Sequence, residues 1–274
     1  MNVVWAALIS VGVTAAAVAV MLLVRRRAPE GSYFADGDRA SGIFGVLATG
    51  FAVLLGLVVV LAFTSYDESK SGADAEALLT RQLFETAQFL PEREKERLSG
   101  DVVCYSRYVA FDEWPRMENG THEGGFNPWG VRLFRTTESV EPQKATEEAA
   151  FSKWLDEIGD TEQARNDRIH GAAGVIPVPL WVVLFLTGAV IFAYILFFAD
   201  SAERVVSQAM LMGSVVFVVT VTLILLWFLD NPYHGGFGSL QPVAMERTLD
   251  TLDEARRVLG HSGPLPCDSE GHPQ

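Results

Sequence analysis

Four long apolar runs divide the chain: Asn2 to Val24, Gly42 to Thr64, Ile176 to Ala199 and Val205 to Leu229. None of them contains Asp, Glu, Lys or Arg. At ~1.5 Å rise per residue, each is long enough to cross the ~30 Å hydrocarbon layer of a bilayer as an α-helix. A chain of 274 residues could not hide four such segments in one soluble core. The pattern predicts an all-α, multi-pass membrane protein with four transmembrane helices in two hairpins and a helical extramembrane insert between them. The lipid bilayer is its first partner.

The polar stretches give the boundaries. Residues 1–64 are read as the first transmembrane hairpin and 65–175 as an extramembrane insert. Residues 176–229 are the second hairpin, 230–260 an amphipathic C-terminal helix, and 261–274 a disordered tail. The first hairpin turns through Arg25 to Ser41, which contains Pro29, Gly31, Gly37 and Asp38. The second turns through only Asp200 to Arg204, so its spans must be tight neighbours.

The second run does not stop at the membrane edge. Leu78, Leu79, Leu83, Phe84 and Phe89 continue at helical spacing, and no proline occurs before Pro91. One long helix, or two nearly collinear ones, is expected to reach at least Phe84, with a kink at Gly72. Pro91 opens the next helix with Glu92 and Glu94 in its first turn, where the helix dipole favours them. Its apolar face runs through Leu98, Val102, Tyr105, Val109 and Trp114. Gly120 to Gly130 is turn-rich. A further helix is expected from about Thr146 to Ala172, and a last one from Pro242 to Leu259 with Met245, Leu249, Leu252 and Leu259 inward. Trp114 and Trp154 are expected in the core, and Trp181 and Trp227 at a membrane interface.

Charge sharpens this picture. The net charge of -13 sits outside the spans: 65–175 holds 22 acidic and 13 basic residues, and 230–274 holds 7 and 3. An acidic surface excludes nucleic acid as a partner and argues against docking on anionic lipid. Arg25, Arg26, Arg27, Arg39 and Arg204 lie in the two short loops, against Lys70, Arg165 and Arg168 near the spans on the other side. The positive-inside bias then places the short loops in the cytoplasm and the insert and both termini outside. The Arg triplet follows the first run rather than preceding it, so that run reads as a retained span and not a cleaved signal.

Little suggests chemistry. There is no G-x-S-x-G, H-E-x-x-H or P-loop, and no charge within a span. His122, His170, His234, His261 and His272 are scattered, and the cysteines are only Cys104 and Cys267. The expectation is a non-enzyme with no metal and no cofactor. A Cys104–Cys267 bond would suit the outward topology, but Cys104 lies on a helix and Cys267 in the tail, and the balance goes against it.

Two groups on the second run stand out. Gly45, Thr49, Ala52 and Gly56 fall on one helical stripe, which reads either as a pore-facing wall or as a small-residue packing seam. Tyr66, Asp67, Glu68 and Asp74, with Glu76, cluster where that helix emerges. They are candidates for a pore mouth attracting cations or, more simply, a solvated face partnered by Lys70.

The stretch Phe51 to Asp67, with Glu113-Trp114-Pro115-Arg116-Met117 and Asn231-Pro232-Tyr233, resembles a bacterial family described as bestrophin-like. The resemblance runs from about Gly42 to Leu252. It implies a pentameric homo-oligomeric ion channel in the bacterial plasma membrane, its neck lined by the second span. Leu55-Gly56 and Tyr66-Asp67 look like the passage from neck to mouth. It also implies an insert on the cytoplasmic side, opposite to the charge reading. The rival function is a non-conducting sensor or scaffold that binds a partner through its acidic helical insert.

Overall fold

The computed structural model describes residues 3–119, 127–261 and 263–274. The turn-rich stretch expected from Gly120 falls, over residues 120–126, outside the described residues, as does His122. Helix α1 is Val3–Arg25, α2 Gly37–Ala87 and α3 Glu92–Tyr108. A π-helical turn, Val109–Glu113, leads into α4, Trp114–Glu118. Then come α5 Pro128–Glu138, α6 Ala145–His170, a 3₁₀ turn Gly171–Ala173, α7 Val178–Phe197, α8 Val205–Asp230 and α9 Val243–Leu259. No strand forms among the described residues, and a single bridge pairs Cys267 with Pro273. Four helices, α1, α2, α7 and α8, are long and apolar enough to cross a membrane.

The chain divides into two compact units. The first holds 1–65, 174–231 and 236–238, and is the spanning unit. Within it α1 packs closest to α8, with Gly213 letting Thr14 and Val18 approach to 3.6 and 3.4 Å of where a Cβ would stand. The inner face of α2, Phe51, Leu55, Val58 and Ala62, meets Leu184 and Ile191 of α7 and Leu226 of α8. The loop between α1 and α2 and the loop between α7 and α8 are pinned to one another. Arg25 donates to the carbonyls of Asp200, Ser201 and Glu203, and Gly31 N–H donates to Asp200 Oδ1. Phe34 sits among Tyr194, Phe197 and Phe198. At the other end Asp230 closes α8 onto the start of α7. Its Oδ1 accepts from Val175 and Ile176 N–H at 2.7 and 2.9 Å, and its Oδ2 from Trp181 Nε1 at 3.2 Å. Gly174 must be glycine there: its φ is +75°, and a Cβ would stand 3.3 Å from the Asp230 carbonyl oxygen.

The second unit holds 66–173, 232–235 and 239–274. Its core joins Leu83 and Phe84 of α2 to Leu98, Val102 and Val103 of α3, Trp129 of α5, Trp154 of α6 and Leu252 of α9. Trp154 and Trp114 are core residues. Helix α5 was not expected from the sequence. Asn127 caps it, accepting from Trp129 N–H at 2.9 Å, and Pro128 takes the first turn where its missing N–H costs nothing.

Several expectations need correction. α2 is one continuous helix of 51 residues, and it runs through Gly72 without a break. Gly72 is a close-approach point, because a Cβ would lie 2.5 Å from Arg168 N of α6. Leu259 is exposed rather than inward. The tail is seated, not disordered. Gly271, at φ +88°, lies so close to α3 that a Cβ would stand 2.3 Å from Tyr108 N. Trp129 Nε1 donates to its carbonyl at 2.6 Å, and Asp268 Oδ1 accepts from Glu270 and His272 N–H. Polar composition suggested disorder, but a few buried anchors decide the outcome. One of those anchors is a disulfide. Cys104 and Cys267 are bonded with a Cα separation of 5.8 Å, which overturns the expectation of two free thiols.

Candidate functional site

In the spanning unit, the stripe of Gly45, Thr49, Ala52 and Gly56 is exposed along its length. A Cβ on Gly45 or Gly56 would meet no atom within 4 Å. α2 packs on its own unit through the other side, Phe51, Leu55, Val58 and Ala62. So, among the described residues, the stripe is not a seam within the spanning unit. Helices pack in lipid through close backbone approach at small residues, and here that surface is left uncovered within its own unit. The same unit has an apolar cleft of about 730 Å³ between α1, α7 and α8, reached by Ala17, Trp181, Phe185, Gly188 and Val215.

In the second unit, Asp67, Glu68 and Asp74 are exposed, as is Lys70, and Tyr66 is half-buried against the core. Glu76 is different. It is fully buried and no part of a solvated rim. The sequence held the signal for this: Glu76 lies seven residues before Leu83, two turns along the inward face that also carries Gly72, Thr80 and Ala87.

Glu76 belongs to a buried ion network. Arg168, also fully buried, gives Nε to Glu76 Oε2 and Nη2 to Glu76 Oε1 and Glu113 Oε2, the last at 2.6 Å. Arg165 reaches Glu113 Oε1 at 2.7 Å, and Tyr105 donates to Glu76 Oε1 at 2.5 Å. All four carboxylate oxygens therefore accept hydrogen bonds, and two acids balance two cations. Burial would raise Glu113, but Arg168 and Arg165 outweigh it and hold the carboxyl below its usual range. Burial, with Glu76 and Glu113 nearby, pushes the Tyr105 phenol well above 10.0, so it stays a donor. Burial opposes the charge on Arg168, yet Glu76 and Glu113 raise its pKa further.

The short motifs of the sequence converge here. Trp114 lies under the Arg168 guanidinium at 5.6 Å and meets Tyr233 edge-on at 5.4 Å. Met117 Sδ lies 3.4 Å from Arg168 Nη1, and Tyr233 OH donates to the Arg168 carbonyl at 2.6 Å. Glu113-Trp114-Pro115-Arg116-Met117 and Asn231-Pro232-Tyr233 are thus not separate signatures. Residues from both enclose one cation. The arrangement is a clamp joining α2, the π turn and α6, with each charge matched. Among the described residues no group of three or more His, Cys, Asp or Glu side chains is placed to hold a metal ion.

Comparison with known proteins gives a consistent result. A family model described as a Bestrophin-like domain matches residues 3–245. A crystal structure of a bacterial Bestrophin homolog from Klebsiella pneumoniae, a single mutant, superposes with a TM-score of 0.60 at 13% identity, covering 92% of this chain and 99% of that one. A second mutant of that homolog gives a TM-score of 0.58 at 13% identity, covering 96% and 100%. A structure described only as a membrane protein gives 0.59 at 12% identity, covering 97% and 100%. At such identity the likeness is one of fold. No curated protein matches the chain.

Proposed function

Since the chain belongs to the Bestrophin-like domain family, we propose that it forms a homo-oligomeric ion pore, pentameric as in bestrophins, in a bacterial plasma membrane, with the second span nearest the axis. One observation supports this most. The small-residue stripe of α2 has no partner within its own unit, while the opposite face of the same helix is packed. A helix that turns Gly45, Thr49, Ala52 and Gly56 away from its own bundle leaves them for neighbouring copies, a pore, or both. Without charge, such a wall conducts only while it is wetted.

In this reading Tyr66, Asp67, Glu68 and Asp74 form the mouth. Repeated around an axis, exposed carboxylates concentrate cations, so the pore prefers cations to anions. The Arg168 clamp holds the helix that carries the mouth but does not itself touch ions. The function is transport rather than catalysis.

The test is site-directed crosslinking in native membranes. With Thr49→Cys, copper-phenanthroline oxidation should give covalent dimers on non-reducing gels. The same experiment at Val58, buried on the packed side, should give none. Dimers at neither position, with a monomeric mass in mild detergent, would sink the pore and favour a monomeric sensor or scaffold.

A further inference from the structure

The disulfide and the charge distribution bear on a question over which the bestrophin resemblance and the charge reading disagree: on which side of the membrane the second unit lies. A covalent bond cannot cross a bilayer, so Cys104 and Cys267 lie on one side. Between them the chain crosses twice, through α7 and α8, which agrees with that requirement.

Both sulfurs are buried, Cys104 at 0% and Cys267 at 5% exposure. The bond lies under the seated tail, with Pro266 against Gly100 and Gly271 on Tyr108. It is therefore a structural bond closed within a packed core, not a surface pair that opens and closes with solution conditions. Persistent structural disulfides belong to oxidising compartments, and cytosolic thiols are kept reduced. Charge points the same way. Arg26, Arg27, Arg39 and Arg204 are exposed at the short loops and Arg25 is half-buried there. Of the three cations counted on the other side, Arg168 is fully buried and Arg165 is ion-paired with Glu113, leaving Lys70 exposed. The folded protein is thus more asymmetric than its sequence suggested.

We propose that the second unit and both termini are exported, facing the extracytoplasmic side, and that an external disulfide-bearing oxidant seals the tail by joining Cys104 to Cys267. In that step the two thiols lose two protons and two electrons and form one S–S bond. A disulfide of the oxidant takes them up and is reduced to two thiols through a mixed-disulfide intermediate. The class of reaction that must precede the mature fold is therefore thiol–disulfide exchange outside the cytoplasm. The mouth residues Asp67 and Glu68 then open outward. None of this requires that the protein conducts, and it stands or falls separately from the pore.

Two measurements on the full chain in cells test it. Cells are quenched in acid, and the protein is denatured and treated with a polymer-linked maleimide before or after reduction. No adduct is expected before reduction and two after it. Two adducts before reduction would overturn the proposal. A phosphatase that works only when exported, fused after Gln274, should be active, and the same enzyme inserted between Pro29 and Glu30 should be inactive. The reverse pair of activities would also overturn it. Cys104→Ser with Cys267→Ser should abolish the gel shift and leave the phosphatase pattern unchanged. A pattern that inverted in this variant would show that the bond does not report the native side, and would overturn it too.

Discussion

One helix, α2, runs through two chemical settings, and its two parts solve the packing problem in opposite ways. Up to Ser65 it buries bulky apolar residues and leaves its glycines open: a Cβ on Gly45, Gly50 or Gly56 would touch nothing. Beyond Tyr66 it buries glycine and charge together. Gly72 lies under the backbone of α6, and Glu76 is held by Arg168. In water, apolar burial drives packing, and a charge can follow the core if it is paired. In lipid there is no such drive, and close approach at small residues supplies it. The second unit is closed by its own contacts. The spanning unit leaves a packing surface unused.

The sharpest way to break the comparison is at the clamp. Arg168→Met removes one cation, leaves Glu76 buried without a counter-charge and leaves Glu113 with Arg165 alone. Breaking a buried pair from one side costs about 3–5 kcal/mol. The expected outcome is loss of the protease-resistant insert at temperatures where the parent protein retains it. Adding Glu76→Gln to the same variant, which keeps Glu113 paired with Arg165, should recover much of that resistance. The disulfide comes next. Its loop spans 163 residues, and removing a native bond of this kind typically costs about 2–4 kcal/mol. Thermal melting of the second unit should fall in Cys104→Ser or when the parent is unfolded with reductant present, with no additive effect of the two.

A matched pair of substitutions tests the helix itself. Gly72→Ala forces a Cβ against the Arg168 backbone, and overpacking of this kind costs about 1–3 kcal/mol. Gly56→Ala meets no atom in the protomer and should change protomer melting by less than about 1 kcal/mol, in the stabilising direction. Equal effects at the two sites would dissolve the distinction between the parts of α2. The smallest effect concerns pH. The folded pKa of Glu113 lies below its ordinary 4.5, so its contribution is full above that value and is lost as pH falls through the lowered one. The near-UV spectrum of the second unit should hold steady from neutral pH down to about that value and fade only in stronger acid. Fading near pH 6 would contradict the assignment.

Much of the architecture was legible because spans are read by length and periodicity, which do not depend on partners. The reach of α2 past Phe84 was legible for the same reason, though not its continuity through Gly72. The clamp was not, because it draws Glu76, Glu113 and Arg168 from three separate segments, and pairing across 92 residues leaves no local spacing. Glu76 could have been singled out by its place on the inward face, but exposed Asp67, Glu68 and Asp74 stand beside it and hide the distinction. The seated tail was missed for a related reason. Its composition is that of a coil, while its order rests on Cys267 and on Gly271, whose value lies only in what it approaches. Whether the α2 stripe met another helix of the same chain could not be read from spacing at all, since a seam and a pore wall share the same small residues.

The central claim is that this open stripe lines or seals a conducting assembly. Ion flux through purified protein in planar bilayers, compared between the parent chain and Gly56→Leu, tests it most directly. The account predicts cation-preferring conductance in the parent, and in Gly56→Leu either an intact assembly that no longer conducts or an assembly that falls apart. No conductance above protein-free membranes in the parent, or unchanged oligomer size and flux in Gly56→Leu, would contradict it.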